Sequence, residues 1–183
     1  MSRRNTPQRV VLIGPESTGK TWLARDIATR YGVPWSPEHA REYVEAKAGP
    51  ISYTDVDAVG RGQKAGEDVA FAQVVELGLT FVVHDTDLVS TMVYSHHYYS
   101  ACPDWIERDA SERLGDLYLL HHVDVEWTAD GNQREQPERR EELFALFRST
   151  LRELDARVRD IQGPWEERKR CAVESIDRLL AEG

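Results

Sequence analysis

The stretch Arg9-Val10-Val11-Leu12-Ile13-Gly14-Pro15-Glu16-Ser17-Thr18-Gly19-Lys20-Thr21-Trp22 decides how the rest of the chain is read. Its first five residues form a short apolar run of the kind buried on both faces in a parallel sheet. Gly14 ends the run, and residues 14–21 fit G-x-x-x-x-G-K-[ST]. A chain of this length matches those four fixed positions by chance at a frequency on the order of one per cent. Context strengthens the match, because Leu23, Ile27 and Tyr31 then recur at helical spacing until Gly32 closes the pattern. A glycine loop between a buried strand and a helix aims backbone N–H groups and the positive helix end at a polyphosphate. Gly14 through Trp22 is therefore read as an ATP site. Lys20 reaches the β- and γ-phosphates, and the Thr21 hydroxyl is a ligand for Mg²⁺. The bland alternative is a turn that only joins strand to helix.

Outward from this loop, strands and helices alternate. Val33-Pro34-Trp35-Ser36 reads as a second strand, with Ser36 as N-cap and Pro37 as the first position of a helix that carries Glu38 in its first turn. Thr54 to Leu77 reads as a helix with soft points at Gly60 and Gly62. Leu79 to His84 is a buried strand with Asp85 at its carboxyl end, and a helix follows from Asp87. A further helix spans about 105–114, a strand Leu117–Leu120, a charged helix about 138–154 and a weak strand 157–161. A last helix carries Val173, Ile176 and Leu180 on one face. Five strands alternating with helices predict an α/β fold, a parallel sheet covered on both faces with ligands at the carboxyl ends of its strands. The polar residues 127–137 interrupt this rhythm and predict a flap, so that residues about 127–140 form a helical lid on a single domain spanning 1–183.

Composition narrows the function classes. The chain has 183 residues, 40% hydrophobic and 30% charged, enough for a self-supporting core. No apolar run reaches the roughly 18 residues a membrane span needs, which points to a cytoplasmic protein without a membrane partner. Cys102 and Cys171 have no C-x-x-C partner, so neither a metal ribbon nor a disulfide framework is expected. A net charge of −9 disfavours a nucleic-acid footprint and leaves a nucleoside triphosphate and a small-molecule acceptor as the expected partners. Oligomeric state is not legible.

Candidate chemistry falls at the strand ends. Asp85 and Asp87 stand where a carboxylate beside the phosphate loop would hold a water-bridged Mg²⁺, Asp85 alternatively acting as base; Asp87 reads equally as the N-cap of the next helix, and its two roles are compatible. Glu38, Arg41, Glu42 and Glu45 share one side of a helix, ordinarily a solvated ion-pair face. Following the second strand, however, Glu38 is placed to accept a hydroxyl proton, with Arg41 holding it or a phosphate. Thr91, Tyr94 and Tyr98 share a helix face that is either core or a slot for a planar base. The pairs His96-His97 and His121-His122 read as structural, since neighbours in sequence point apart. Arg134, Arg139 and Arg140 either pair with adjacent glutamates or deliver cations to the transferring phosphoryl group, Arg134 first among them.

Gly14 to Thr21, Pro37-Glu38-His39-Ala40-Arg41-Glu42-Tyr43, Asp85-Thr86-Asp87 and Trp127-Thr128-Ala129-Asp130-Gly131 together resemble the ribosylnicotinamide kinase domain of NadR-type proteins and related AAA-like P-loop ATPases. The resemblance spans nearly the whole chain. It implies a P-loop NTPase three-layer sandwich of the nucleoside- or nucleotide-kinase kind. It also implies ATP and Mg²⁺ as cofactors and transfer of the γ-phosphate to the 5′-hydroxyl of nicotinamide riboside, giving nicotinamide mononucleotide. Gln63, Asp87, Tyr94 and Tyr98 would then join Glu38 and Arg41 around the acceptor. With eight residues before the first strand, a stand-alone kinase is expected rather than one fused to an adenylyltransferase. One departure concerns the acceptor: the family often has a tryptophan before the helix glutamate, where this chain has Pro37, with Trp35 two residues earlier. Kinases of other nucleosides or nucleic-acid ends, and a nucleotide-dependent switch, are the rival readings.

Overall fold

In the computed structural model of the chain, residues 6–126 and 139–182 are described. The strands are β1 (Gln8–Ile13), β2 (Trp35–Ser36), β3 (Phe81–Asp85), β4 (Leu117–His121) and β5 (Val158–Ile161). The helices are α1 (Lys20–Tyr31), α2 (His39–Lys47), α3 (Val56–Glu76), α4 (Leu88–Tyr99), α5 (Asp104–Glu112), α6 (Arg140–Glu153) and α7 (Trp165–Glu182). The strands form one five-stranded sheet, order β2-β3-β1-β4-β5, with every pairing parallel.

Alternation along β1 explains the layers. Val10 and Leu12 pack on one face with Leu23 and Ile27 of α1 and Ile176 and Leu179 of α7. Val11 and Ile13 pack on the other with Val89 and Val93 of α4 and Phe147 and Leu151 of α6. Burying each such side chain contributes about 1.5–3 kcal/mol, and the central strand is apolar on both faces because both are covered. Register then places the chemistry: Leu12 pairs with Asp85, so the end of β3 lies beside the loop that leaves β1.

Three expected boundaries shift. β2 is only Trp35–Ser36, and α2 begins at His39, with Glu38 rather than Ser36 as its N-cap. Ser36 Oγ instead shares a 2.7 Å hydrogen bond with the buried His84 Nδ1 of the neighbouring strand. Before α3, residues Tyr53–Asp55 form a 3₁₀ turn closed by a reciprocal cap between Ser52 and Asp55. The soft points inside α3 are contact points instead. A Cβ on Gly62 would fall 2.0 Å from His39 Nε2, so this glycine lets α2 lie against α3. On α7 the buried stripe is Arg168, Ala172, Ile176 and Leu179; of the expected face, Ile176 belongs to it and Leu180 packs, partly buried, against the same core. Most of the expected lid lies outside the described residues.

Candidate active site

The phosphate loop runs from Gly14, whose φ of 132° few side chains tolerate, through Ser17 (φ 54°) and Gly19 (φ 82°) into α1. Glycine is required at position 19 for a second reason: a Cβ there would fall 2.6 Å from the Trp165 ring. That ring stacks obliquely on Trp22, with centroids 4.2 Å apart, and Lys169 Nζ lies 5.0 Å from the Trp22 ring. The loop carbonyls are held from inside. Lys20 Nζ and Thr18 Oγ1 both donate to Pro15 O, at 2.7 and 2.8 Å.

Thr21 Oγ1 donates to Asp85 Oδ2 at 2.5 Å, which brings together two residues 64 positions apart in the chain. Asp85 is fully buried, and its Oδ1 has no hydrogen-bond partner among the described residues. Burial pushes the Asp85 carboxyl up, against the pull of Lys20 and Thr21. A hydroxyl that donates to a buried carboxylate beside a phosphate loop, with one carboxylate oxygen uncommitted, fits a hard divalent cation such as Mg²⁺. Thr86 follows with φ 67°, unusual for a β-branched residue, and its N–H donates to Leu12 O at 3.0 Å.

Glu38 stands at the mouth of α2, and its side chain does not cap its own helix. Burial raises its pKa to about 7; Asp85 and Glu16 add to the rise, while Lys20 and Arg41 oppose it. The acceptor for the His39 N–H is supplied by Gln63 Oε1, at 3.0 Å. The other end of the same amide donates to Thr86 O at 3.1 Å and to Glu67 Oε1 at 3.3 Å. Gln63 thus joins the Glu38–His39 peptide to the Thr86–Asp87 peptide. Glu67 behind it is buried, and burial lifts its carboxyl to about 8.

From the loop a cleft runs between α2, α3 and α4. Glu16 and Glu38 line it near the phosphate loop, Arg41 and Gln63 along its wall, and Tyr94 and Tyr98 across from them. The two tyrosine rings are nearly parallel, 10° apart with centroids separated by 6.1 Å. Asp87 does not join this lining. Its Oδ1 accepts from Val89 N and Ser90 N as the N-cap of α4, and its Oδ2 accepts from Tyr118 OH at 2.7 Å. Both carboxylate oxygens are therefore committed to the fold. Arg134 lies outside the described residues.

Three more groups meet the loop: Arg140, expected either to pair with glutamates or to serve the phosphoryl group, His121, expected to be structural, and Arg168, which the sequence did not single out. Arg140, at the start of α6, donates to Ser17 O and Val125 O. Arg168, fully buried at the start of α7, donates to Thr18 O and Gly163 O and pairs with Asp124. His121 at the end of β4 gives its Nδ1–H to Thr18 O at 3.0 Å, and burial holds it neutral, with a pKa near 3. Both arginines share a signal that was available: each opens an apolar stripe, Arg140-Leu143-Phe147-Leu151 and Arg168-Ala172-Ile176-Leu179. A cation at the N-terminal end of a buried stripe must find oxygen partners, and here they are the carbonyls of the phosphate loop.

The profile of an AAA domain family matches residues 9–168. The structure resembles NadR protein in complex with NR, with a TM-score of 0.76 and 25% identity over 96% of this chain and 52% of that one. A NadR structure in complex with NAD and AMP-PNP aligns at TM-score 0.78 and 24% identity, over 96% and 50% of the two chains. Thymidylate kinase from Ehrlichia chaffeensis shares the fold at TM-score 0.66 and 14% identity, over 95% and 99%. Among curated sequences, ATP-dependent zinc metalloprotease FtsH 4 of Sphaerobacter thermophilus is 38% identical over 33% of this chain. The chain spans 12% of that protease's length and about half of the NadR chains.

Proposed function

The chain belongs to the AAA domain family and has a NadR-type P-loop fold, and from that premise we propose that it is an ATP-dependent kinase acting on a nucleoside, in the first place nicotinamide riboside, with nicotinamide mononucleotide and ADP as products. The observation that carries this reading is the position of Glu38, which shares one cleft with Glu16 of the phosphate loop and with the tyrosine pair. Donor and acceptor can meet there. With a pKa near 7, Glu38 is poised to take the proton of the 5′-hydroxyl as its oxygen attacks the γ-phosphorus. The new O–P bond forms as the bond to the β-phosphate oxygen breaks, and ADP leaves.

Lys20 and the loop N–H groups hold the donor phosphates, and Trp22 flanks them. Thr21 and Asp85 would hold Mg²⁺, which when bound neutralises charge on the β- and γ-oxygens. Arg41 steadies the carboxylates of Glu38 and Asp85, and Arg134 is assigned to the transferring phosphoryl group from a lid at about residues 127–140. The whole of residues 1–183 acts as a single kinase domain in this reading, in the cytoplasm where ATP is supplied. The finding that no described helix is long and apolar enough to cross a membrane accords with it.

Charge supports the choice of acceptor. The cleft lining holds the carboxylates of Glu16, Glu38 and Glu45 against the guanidinium of Arg41. Such a field favours a cationic pyridinium ring over a neutral base and opposes an acceptor that already carries phosphate. Steady-state kinetics with nicotinamide riboside, uridine, thymidine and thymidine monophosphate tests this. We expect kcat/KM for nicotinamide riboside to exceed the others by about tenfold or more, an electrostatic difference of about 1.4 kcal/mol. Preference for the monophosphate would place the chain with nucleotide kinases instead. Membership of an AAA family and the likeness to FtsH proteins favour one second reading, a nucleotide-dependent ATPase module; hydrolysis that no acceptor alters would support it.

A further inference from the structure

The hairpin of α4 and α5 brings an imidazole, a thiol and a carboxylate to one point on the surface. His96 Nε2 and Glu107 Oε1 are 2.8 Å apart, and these atoms and Cys102 Sγ all lie within 4.8 Å of one another. His96 belongs to the last turn of α4, Cys102 to the connection, and Glu107 to the first turn of α5. The connection is tied down by bonds that involve none of the three side chains. Ser95 Oγ donates to Ala101 O at 2.6 Å, Ser100 N to His96 O at 2.9 Å, and Ile106 N to Pro103 O at 2.9 Å. The backbone that carries the three residues is therefore set by helix ends and the connection, and the His96–Glu107 contact turns those two side chains toward each other.

The donor set discriminates among cations. Mg²⁺ and Ca²⁺ prefer oxygen alone, whereas one nitrogen, one sulfur and one carboxylate oxygen suit Zn²⁺ and its neighbours. Zinc bonds of about 2.0–2.3 Å put tetrahedral ligand atoms roughly 3.3–3.8 Å apart. The present atoms lie within 4.8 Å of one another, a spacing that side-chain rotation can bring toward those values with one position left for water. Burial of Cys102 and then its negative neighbours Glu107 and Asp104 discourage its thiolate, against the pull of a hydrogen bond with Ser95. An incoming cation removes that obstacle, displacing the thiol proton as it binds.

We propose that His96, Cys102 and Glu107 form a binding site for a borderline-soft divalent cation of the Zn²⁺ class, separate from the phosphate-loop site. Occupancy would fasten the end of α4 to α5. Because α4 also carries Tyr94 and Tyr98 into the cleft, the ion would stiffen one wall of it. The site does not depend on the kinase reading.

The test uses the intact, nucleotide-free protein, with Co²⁺ as a spectroscopic probe and Zn²⁺ as competitor. One equivalent of Co²⁺ should produce a thiolate-to-cobalt charge-transfer band that Zn²⁺ abolishes. The band should vanish in Cys102→Ser, weaken at least tenfold in Co²⁺ affinity in His96→Gln, and persist in Cys171→Ser. Oxygen ligands at Thr21 and Asp85 give no such band, so binding there is not mistaken for it. Circular dichroism establishes that the variants are folded, and the wild-type band stands without them. No band in the wild-type protein, or one that follows Cys171 instead of Cys102, overturns the site.

Discussion

Glu38 marks the point where the two halves of the proposed reaction meet, and its behaviour rests on its surroundings more than on its identity. A glutamate on an open helix face titrates near 4.5; here burial, with Asp85 and Glu16 nearby, moves it to about 7. The base must be ionised, so kcat should rise with pH through about 7 and level off above it. Replacing Glu38 with Gln should lower kcat about 10²- to 10⁴-fold and remove that limb, measured as a pH–rate profile at saturating ATP. Retention of both rate and limb would pass the role to Asp85. Residues whose work is set by near neighbours were legible: Lys20 and Thr21 come with the loop motif, and Asp85 follows from the end of a buried strand. Ser36 and Asp87 were less so. The hydroxyl of Ser36 goes to His84, and of the two roles weighed for Asp87 the structure displays the capping one, because Tyr118 takes its other oxygen. Partners more than thirty residues away in sequence leave no local trace.

Between elements, the contact that most shapes the site is the Gln63 amide. It ties α3 to the entrance of α2 and to the turn after β3, the two segments that carry Glu38 and Asp85. None of the residues of α2 is fully buried; besides this amide the helix is held by Tyr43 and Lys47, which both bond Asp55, and by His39 against Gly62. Gln63→Leu should leave the His39 N–H and the Thr86 carbonyl without their partner, at about 1–3 kcal/mol for each buried group, read as a lower Tm. It should also lower kcat by about ten- to a hundredfold through misplacement of Glu38, with KM for ATP unchanged. If Gln63 serves only as an acceptor contact, KM for the acceptor rises while kcat holds. Element order was readable because β1, β3 and β4 are apolar runs between glycines and polar turns. Arg168 of α7 escaped because charge in a helix ordinarily signals solvent, and Arg140 of α6 was expected to meet glutamates or the phosphoryl group rather than loop carbonyls. The place of both arginines at the head of apolar stripes becomes meaningful only once those stripes are known to point at the phosphate loop.

At the scale of the molecule, all pairings in the sheet are parallel, and its central strands end side by side, which is why the phosphate loop, Asp85 and His121 converge from distant parts of the sequence. The three-layer architecture was predictable from alternation alone. The cleft was not, since its walls are helices α2, α3 and α4, whose relative placement depends on contacts such as Gly62 against His39. An acidic chain of net charge −9 with an acidic cleft is suited to a small cationic acceptor and poorly to a polyanion. The central claim is that this cleft and the phosphate loop act as one phosphoryl-transfer site. It is tested most directly by following label from γ-³²P ATP in the presence of Mg²⁺ and nicotinamide riboside, with the wild-type protein and Lys20→Ala. The expected result is labelled nicotinamide mononucleotide formed in equal amount to ADP, and no transfer by Lys20→Ala. ADP released with inorganic phosphate at the same rate with or without acceptor, and no labelled nucleotide, would contradict it.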